Sequence, residues 1–295
     1  MNYIKTTQGY PLGAKRSTPD VRDYRFVAGA GKAGDASGAP LPTSVTLPLA
    51  PVKNQGATPS CVAHATASLT EVLHLMEHDE SELFSTEFVY GYRPEGYYQG
   101  DGMMPRDALK TLLHVGNVYA RECPGNHRYN EASAQVAKHL EELRPLAAPH
   151  RIASFYRCDV GSIAATEALM KQALAQGHPL LISIGIRQGD HLDDKFRWVT
   201  DPKAEWQGCH GLLVYGYTPE GFLVQNSWGP GWGNHGRFLL PYGFDLLYEA
   251  WGVEDAEDPL PDDQIKVPFA TRLGQLIAKA LNGLLRIFAE LFHRK

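Results

Sequence analysis

An α+β fold with a helical lobe, a β-rich lobe and a cleft between them is what three features of this chain predict. Small and apolar residues recur at helical spacing in its first half, and short apolar runs cut by glycine and proline fill its second. Segments of biased composition or one-signed charge at both ends set off a body at residues 43–253. Helices grouped before strands, rather than alternating with them, point to α+β architecture, with a cleft where the two parts meet.

The elements follow in order. Residues 60–78 (SCVAHATASLTEVLHLMEH) have helical spacing, and Pro59 and Ser60 stand where a proline and a hydroxyl suit a helix N-terminus. Residues 106–116, 132–143 and 160–176 are predicted as further helices. The period then changes. LLISIGI (180–186), HGLLVYGY (210–217), GFLVQNSW (221–228) and GRFLLPY (236–242) predict strands of an antiparallel sheet or barrel. No internal repeat is present.

A length of 295 residues fits two domains or one large two-lobed unit, and 43% hydrophobic with 21% charged residues excludes general disorder, collagen-like repeats and a coiled-coil rod. A net charge of −5 argues against a nucleic-acid partner. No apolar run approaches the roughly 20 residues that span a bilayer, and residues 1–10 lack the apolar core of a secretory signal. The expected location is therefore cytoplasmic, or secreted by a route that needs no signal peptide. Cys61, Cys123, Cys158 and Cys209 are too scattered for a disulfide framework and lack zinc-site spacing, so no metal is expected. No organic cofactor is implied either.

The ends have their own character. Residues 1–42 form an N-terminal extension whose last part, AGAGKAGDASGAPLP, has a linker composition. Residues 254–266 read as an acidic linker. Residues 267–295 then hold five bases against one acid, with Leu273, Leu276, Ile277, Leu284 and Phe288 at helical spacing and Arg272, Lys279, Arg286 and His293 repeating every seven residues. That is an amphipathic basic helix, suited to the chain's own body, to a protein partner or to an anionic membrane surface.

Four residues of the body carry nucleophilic chemistry. Cys61 heads the helix after the loop PVKNQGATPS, where unpaired amides and the helix dipole favour a thiolate. His210 opens a strand and, beside the sulfur, would hold its proton and later give it to a leaving group. Asn226 closes the following strand, and its amide can orient an imidazole. Gln55 lies on the loop entering the helix, placed to aim an N–H at a developing oxyanion with the Cys61 amide. Taken singly, a cysteine in a Ser/Ala-rich helix is a small buried hydrophobe and the histidine a surface or structural residue; together they form a constellation.

PVKNQGATPSCVAHATA resembles the nucleophile segment of papain-like cysteine peptidases, HGLLVYGY their histidine strand and NSWGPGWGNHGRFLL their asparagine loop. The resemblance implies a papain-like two-lobed fold, with a helical lobe and an antiparallel β-barrel-like lobe. Cys61 would be the nucleophile, His210 its base and later acid, Asn226 the residue orienting the imidazole and Gln55 part of the oxyanion hole. Trp228 would shield the histidine–asparagine hydrogen bond from water, and Trp232 with the glycines around it would line the leaving-group side. The family's usual cysteine three residues before the nucleophile and its disulfide partner are absent. Thr58 and Gly100 stand at their positions, so that disulfide cannot form. Gly102 keeps the first residue of a substrate-binding glycine pair and Met103 replaces the second, which puts the subsites there in question. Val62 replaces the tryptophan after the nucleophile.

The implied activity is endopeptidase cleavage of a polypeptide through a Cys61 thioester. The alternatives are a transpeptidase or deconjugating enzyme on the same fold, or a non-catalytic binding module that delivers the C-terminal helix to a partner. Family members carry long helical inhibitory segments. The N-terminal extension here is too short for that, but GAKRSTPDVRDYRF resembles the short extensions of bacterial members. It is expected either to lie across the cleft over Cys61, as the inhibitory segment of a zymogen, or to pack as a strap on the back of a lobe. Cys209 reads as a small residue at a strand entrance, with a redox pairing to Cys61 as the sharper alternative. Cys123 and Cys158 read as structural, His64 as a packing residue and His191 as solvated.

Overall fold

Helix α1, Cys61–His78, is the axis of the helical lobe, and every residue of it from Cys61 to His74 is buried. Alanines, serines and threonines on most of its faces let neighbours approach closely, and Asp79 in the left-handed conformation ends it. Around it lie α2 (Thr86–Gly91), capped by the Ser85 hydroxyl, and α3 (Pro105–His114), which starts on a proline. They are followed by α4 (Tyr129–Lys138) and α5 (Leu140–Ala147). The helix expected at 132–143 is thus two helices. The break is at His139, whose N–H bonds to the Val136 carbonyl in a tightened last turn.

In this computed structural model the described residues are 6, 8–18, 20, 23, 40–94 and 100–255. The chain divides into two units, Met1–Pro259 and Leu260–Lys295. The basic helix expected at 267–295 lies outside the described residues, as do most of the acidic linker and the glycine–alanine stretch.

One seven-stranded sheet forms the other lobe. Its strands are β1 (Val45–Thr46), β2 (Ile152–Arg157), β3 (Leu180–Arg187), β6 (Trp206–Thr218), β7 (Gly221–Gln225), β8 (Arg237–Pro241) and β9 (Leu247–Asp255). They run in the order β2-β9-β3-β6-β7-β8, with β1 also on β6, and all these pairs are antiparallel. Among the described residues β2 and β8 do not pair, so the sheet is not a closed barrel. The short hairpin strands β4 (His191–Leu192) and β5 (Trp198–Val199) stand apart from it, and helix α6 (Ile163–Ala175) links β2 to β3. The α+β class is the one predicted.

Long β6 carries the sheet's most central register. Ile184 pairs with His210 on one side, and Leu213 pairs with Gln225 on the other. Helix α1 packs on this strand, so the core runs from Leu69, Val72 and Leu109 through to Ile182, Leu213 and Trp251. Each such side chain taken from water contributes roughly 1.5–3 kcal/mol. The core also sets Cys61, at the start of α1, against Gly211 of β6, the residue after His210. All four cysteines are buried and free.

Candidate active site

Cys61 is the first residue of α1, and its N-cap Ser60 makes no side-chain cap. The Ser60 hydroxyl is spent instead on His64 Nδ1 and on Asn126, leaving the helix N-terminus unscreened beside the sulfur. Gly211, the residue after His210, donates its N–H to Cys61 Sγ at 3.3 Å, which ties the helix start to β6. His210 Nε2 lies 2.7 Å from Asn226 Oδ1. The other ring nitrogen, Nδ1, is buried without a hydrogen-bond partner and is the one available to the thiol. Trp228 stacks on the imidazole with centroids 4.6 Å apart, covering the His210–Asn226 bond, and Trp232 packs edge-on against Trp228 at 5.1 Å.

The loop bearing Gln55 is stitched to the loop bearing Asn226. Gln55 N–H reaches the Ser227 carbonyl at 2.8 Å, and Gly229 N–H reaches the Lys53 carbonyl at 3.0 Å. The Lys53 ammonium is itself paired with Glu71 of α1. The Ser227 hydroxyl donates to Gln55 Oε1 at 2.6 Å, so the amide must present its NH₂ to the cleft. Sequence reasoning misses Ser227. Its one signal is its place between Asn226 and Trp228.

Residues 10–17 of the N-terminal extension occupy the cleft. Tyr10 stacks on the outer face of Trp228, centroids 4.4 Å apart and planes 8° off parallel. The Pro11 carbonyl accepts from Gln55 Nε2 at 3.2 Å. Met103 N–H donates to the Gly13 carbonyl at 2.8 Å, Lys15 N–H to the Met103 carbonyl at 2.9 Å, and Ala14 N–H to the Cys209 carbonyl at 3.2 Å. The segment is therefore a strand paired with Met103 on one wall and with Cys209 on the other. Both glycines that bring it so close are needed. A Cβ on Gly13 would sit 2.0 Å from the Pro59 carbonyl oxygen, and one on Gly102, at φ +98°, would sit 2.7 Å from the Gly13 oxygen. Met103 takes part through its main chain while its side chain is fully buried in the core cluster.

Burial under this strand decides the charge state. Cys61 and His210 are both fully buried. Desolvation pushes the Cys61 thiol up, against the pull of the Gly211, Gly13, Val62 and Ala14 amides. Desolvation lowers His210 to about 4, although the Asn226 bond works the other way. In the covered site the pair is accordingly neutral. His64 is likewise held to about 4 by burial and bonds to the Ser60 carbonyl at 3.1 Å, a packing role. His191 is exposed, as expected. The Cys209 thiol is raised to about 11 by burial and is a poor nucleophile. Beyond Trp228 the cleft opens into a cavity of about 420 Å³ lined by Leu192, Phe196, Trp198 and Trp232, and by Thr6 and Gln8 of the N-terminal extension.

A family model for papain family cysteine proteases matches residues 43–253. An uncharacterised peptidase C1-like protein of Acanthamoeba polyphaga mimivirus is 24% identical over 235 residues, 73% of this chain and 74% of that one. The crystal structure of xylellain, a cysteine protease from Xylella fastidiosa, superposes with a TM-score of 0.68 at 22% identity over 87% of this chain and 99% of that chain. The ragweed pollen cysteine protease Amb a 11, solved in its proform, gives 0.55 at 19% identity over 75% of this chain and 67% of that chain.

Proposed function

This chain belongs to the papain family of cysteine proteases, and on that premise we propose that it hydrolyses peptide bonds through a thioester on Cys61 and is held latent by its own residues 10–17. In the open site His210 Nδ1 takes the thiol proton and Sγ attacks the scissile carbonyl carbon. The oxyanion is met by Gln55 Nε2 and the Cys61 amide. The imidazolium returns its proton to the departing amine, leaving the acyl group on sulfur, and a water activated by the same imidazole releases the acid. Asn226 keeps Nδ1 aimed at the sulfur by holding Nε2, and Ser227 does the equivalent for Gln55.

The direction of the strap supports latency rather than self-cleavage. Its N-terminal end, Tyr10, lies against Trp228 on the leaving-group side, where the C-terminal part of a substrate would lie. The strap therefore runs backwards. It turns the Gly13 and Ala14 amides, not a carbonyl carbon, toward Cys61 Sγ. It also fills the oxyanion position with the Pro11 carbonyl and keeps the thiol–imidazole pair dry and uncharged. The observation that carries the reading is the reversed strand over a His210–Asn226 hydrogen bond whose next residue, Gly211, donates its N–H to Cys61 Sγ.

The test is peptide turnover and labelling by a thiol-reactive peptidyl epoxide in the full chain. Cys61→Ser should lower turnover by at least ~10³-fold and abolish labelling. Turnover that survives Cys61→Ser overturns the assignment.

A further inference from the structure

Asp23 is the last described residue of the N-terminal extension before residue 40, and its carboxylate pairs with Arg106 Nη2 where the side chains keep only 8% and 7% of their surface. Arg157 stands behind, its Nη1 3.7 Å from the same oxygen. Both guanidiniums lie over the Trp251 ring, 5.7 and 5.2 Å from its centroid. Neither neighbouring acid is paired with Arg106, and with the strap gone Asp159 keeps its bond to Arg157 and Glu249 its bond to Trp251. Asp159 pairs with Arg157, and Glu249 accepts from Trp251 Nε1 at 2.9 Å and from Ser17 N–H at 2.5 Å. Arg106 is thus a cation whose carboxylate comes from the strap, and its Nε is buried without a hydrogen-bond partner among the described residues. The strap's departure removes that carboxylate and leaves the guanidinium at the end of the cleft away from Trp228.

Resting on the peptidase reading above, we propose that Arg106, with Arg157 and Trp251, forms a carboxylate-binding subsite of the cleft. Asp23 closes it in the latent chain, and an acidic side chain of the polypeptide substrate fills it during turnover. Because the strap runs backwards, its C-terminal end marks the N-terminal side of the scissile bond, and the acidic residue belongs there. A planar guanidinium on an aromatic face suits a carboxylate's two oxygens. A glutamine in the same place leaves the cation without its counter-ion, so the site discriminates by charge rather than by size.

The experiment uses the full-length Asp23→Asn protein and paired peptidyl epoxides with Glu or Gln walked along their N-terminal residues. At the matching position the Glu reagent should label Cys61 about tenfold faster than its Gln twin, each rate normalised to iodoacetamide on the same protein. Arg106→Met in that background should erase the ratio, and Arg106→Lys should keep part of it. Equal rates for every pair in Asp23→Asn overturn the subsite and leave the peptidase reading standing. If no epoxide labels Cys61, the peptidase reading falls and hydrogen exchange decides the subsite alone. An acetylated Glu peptide should then speed exchange of the Ala14 and Lys15 amides in the unaltered chain several-fold over its Gln twin. No difference between the twins overturns it.

Discussion

On the two sides of Cys61 the same strap is held by opposite chemistry. On one side Tyr10 lies flat on Trp228, whose other face covers His210, so the contact is aromatic throughout. On the other side the hold begins with the Met103 and Cys209 main chain and ends in the Asp23–Arg106 ion pair over Trp251. The aromatic hold carries no charge for salt to screen, whereas the ionic one can be competed away by another carboxylate. A strap fixed this way can yield at its charged end while its aromatic end still shields the histidine.

Gly13→Ala breaks both holds at once, because the new Cβ would need the space of the Pro59 carbonyl. The strap should lose its place, and Cys61 labelling in the full chain should rise about 100-fold. Unchanged labelling would show that the close approach at Gly13 does not hold the strap in place. Acid acts beneath the strap. His64 and His210 titrate near 4 in the covered protein, below the ordinary value of 6.5. Between those values the unfolded chain binds more protons, so stability is full above pH 6.5 and is lost as pH falls toward 4. At pH 5 the loss is about 2 kcal/mol per imidazole. A clear drop in Tm between pH 7.5 and 5, reduced in a His64→Gln variant, is the expected record.

The two flanks are then separated by single changes. Tyr10→Ala removes the aromatic stack and should speed labelling about 20-fold, equally at low and high salt. Asp23→Asn should speed it about tenfold at low salt. Raising the salt should speed labelling of the unaltered chain and shrink this difference to about threefold. If salt altered the effect of Tyr10→Ala as much as that of Asp23→Asn, the contrast between the flanks would be lost.

What was legible depended on how local each signal was. Gln55, Cys61, His210 and Asn226 are set by short segments in which the neighbours share the task; α1 announces itself by period, and β3, β6, β7 and β8 as apolar runs bounded by glycine and proline. Strand β9 does not, because Glu249, buried by its bond to Trp251, interrupts the apolar run and the acidic residues Glu254 and Asp255 close it. Helix α2 has only six residues, too few for a period. At the site, Ser227 and Arg106 were silent because a serine in a loop and an arginine at a helix start are ordinary until their partners are placed.

The chain's own sequence determined the chemistry: a thiol at a helix start, an imidazole on a strand and an amide to aim it, each fixed by bonded neighbours within a few residues. Tertiary structure alone decided that residues 10–17 lie in the cleft, in which direction they run, and that Asp23 meets Arg106. Those outcomes rest on close approaches at Gly13 and Gly102 and on pairing with strands far along the chain. Polar segments without a period carry no local mark of which wall they will pair with.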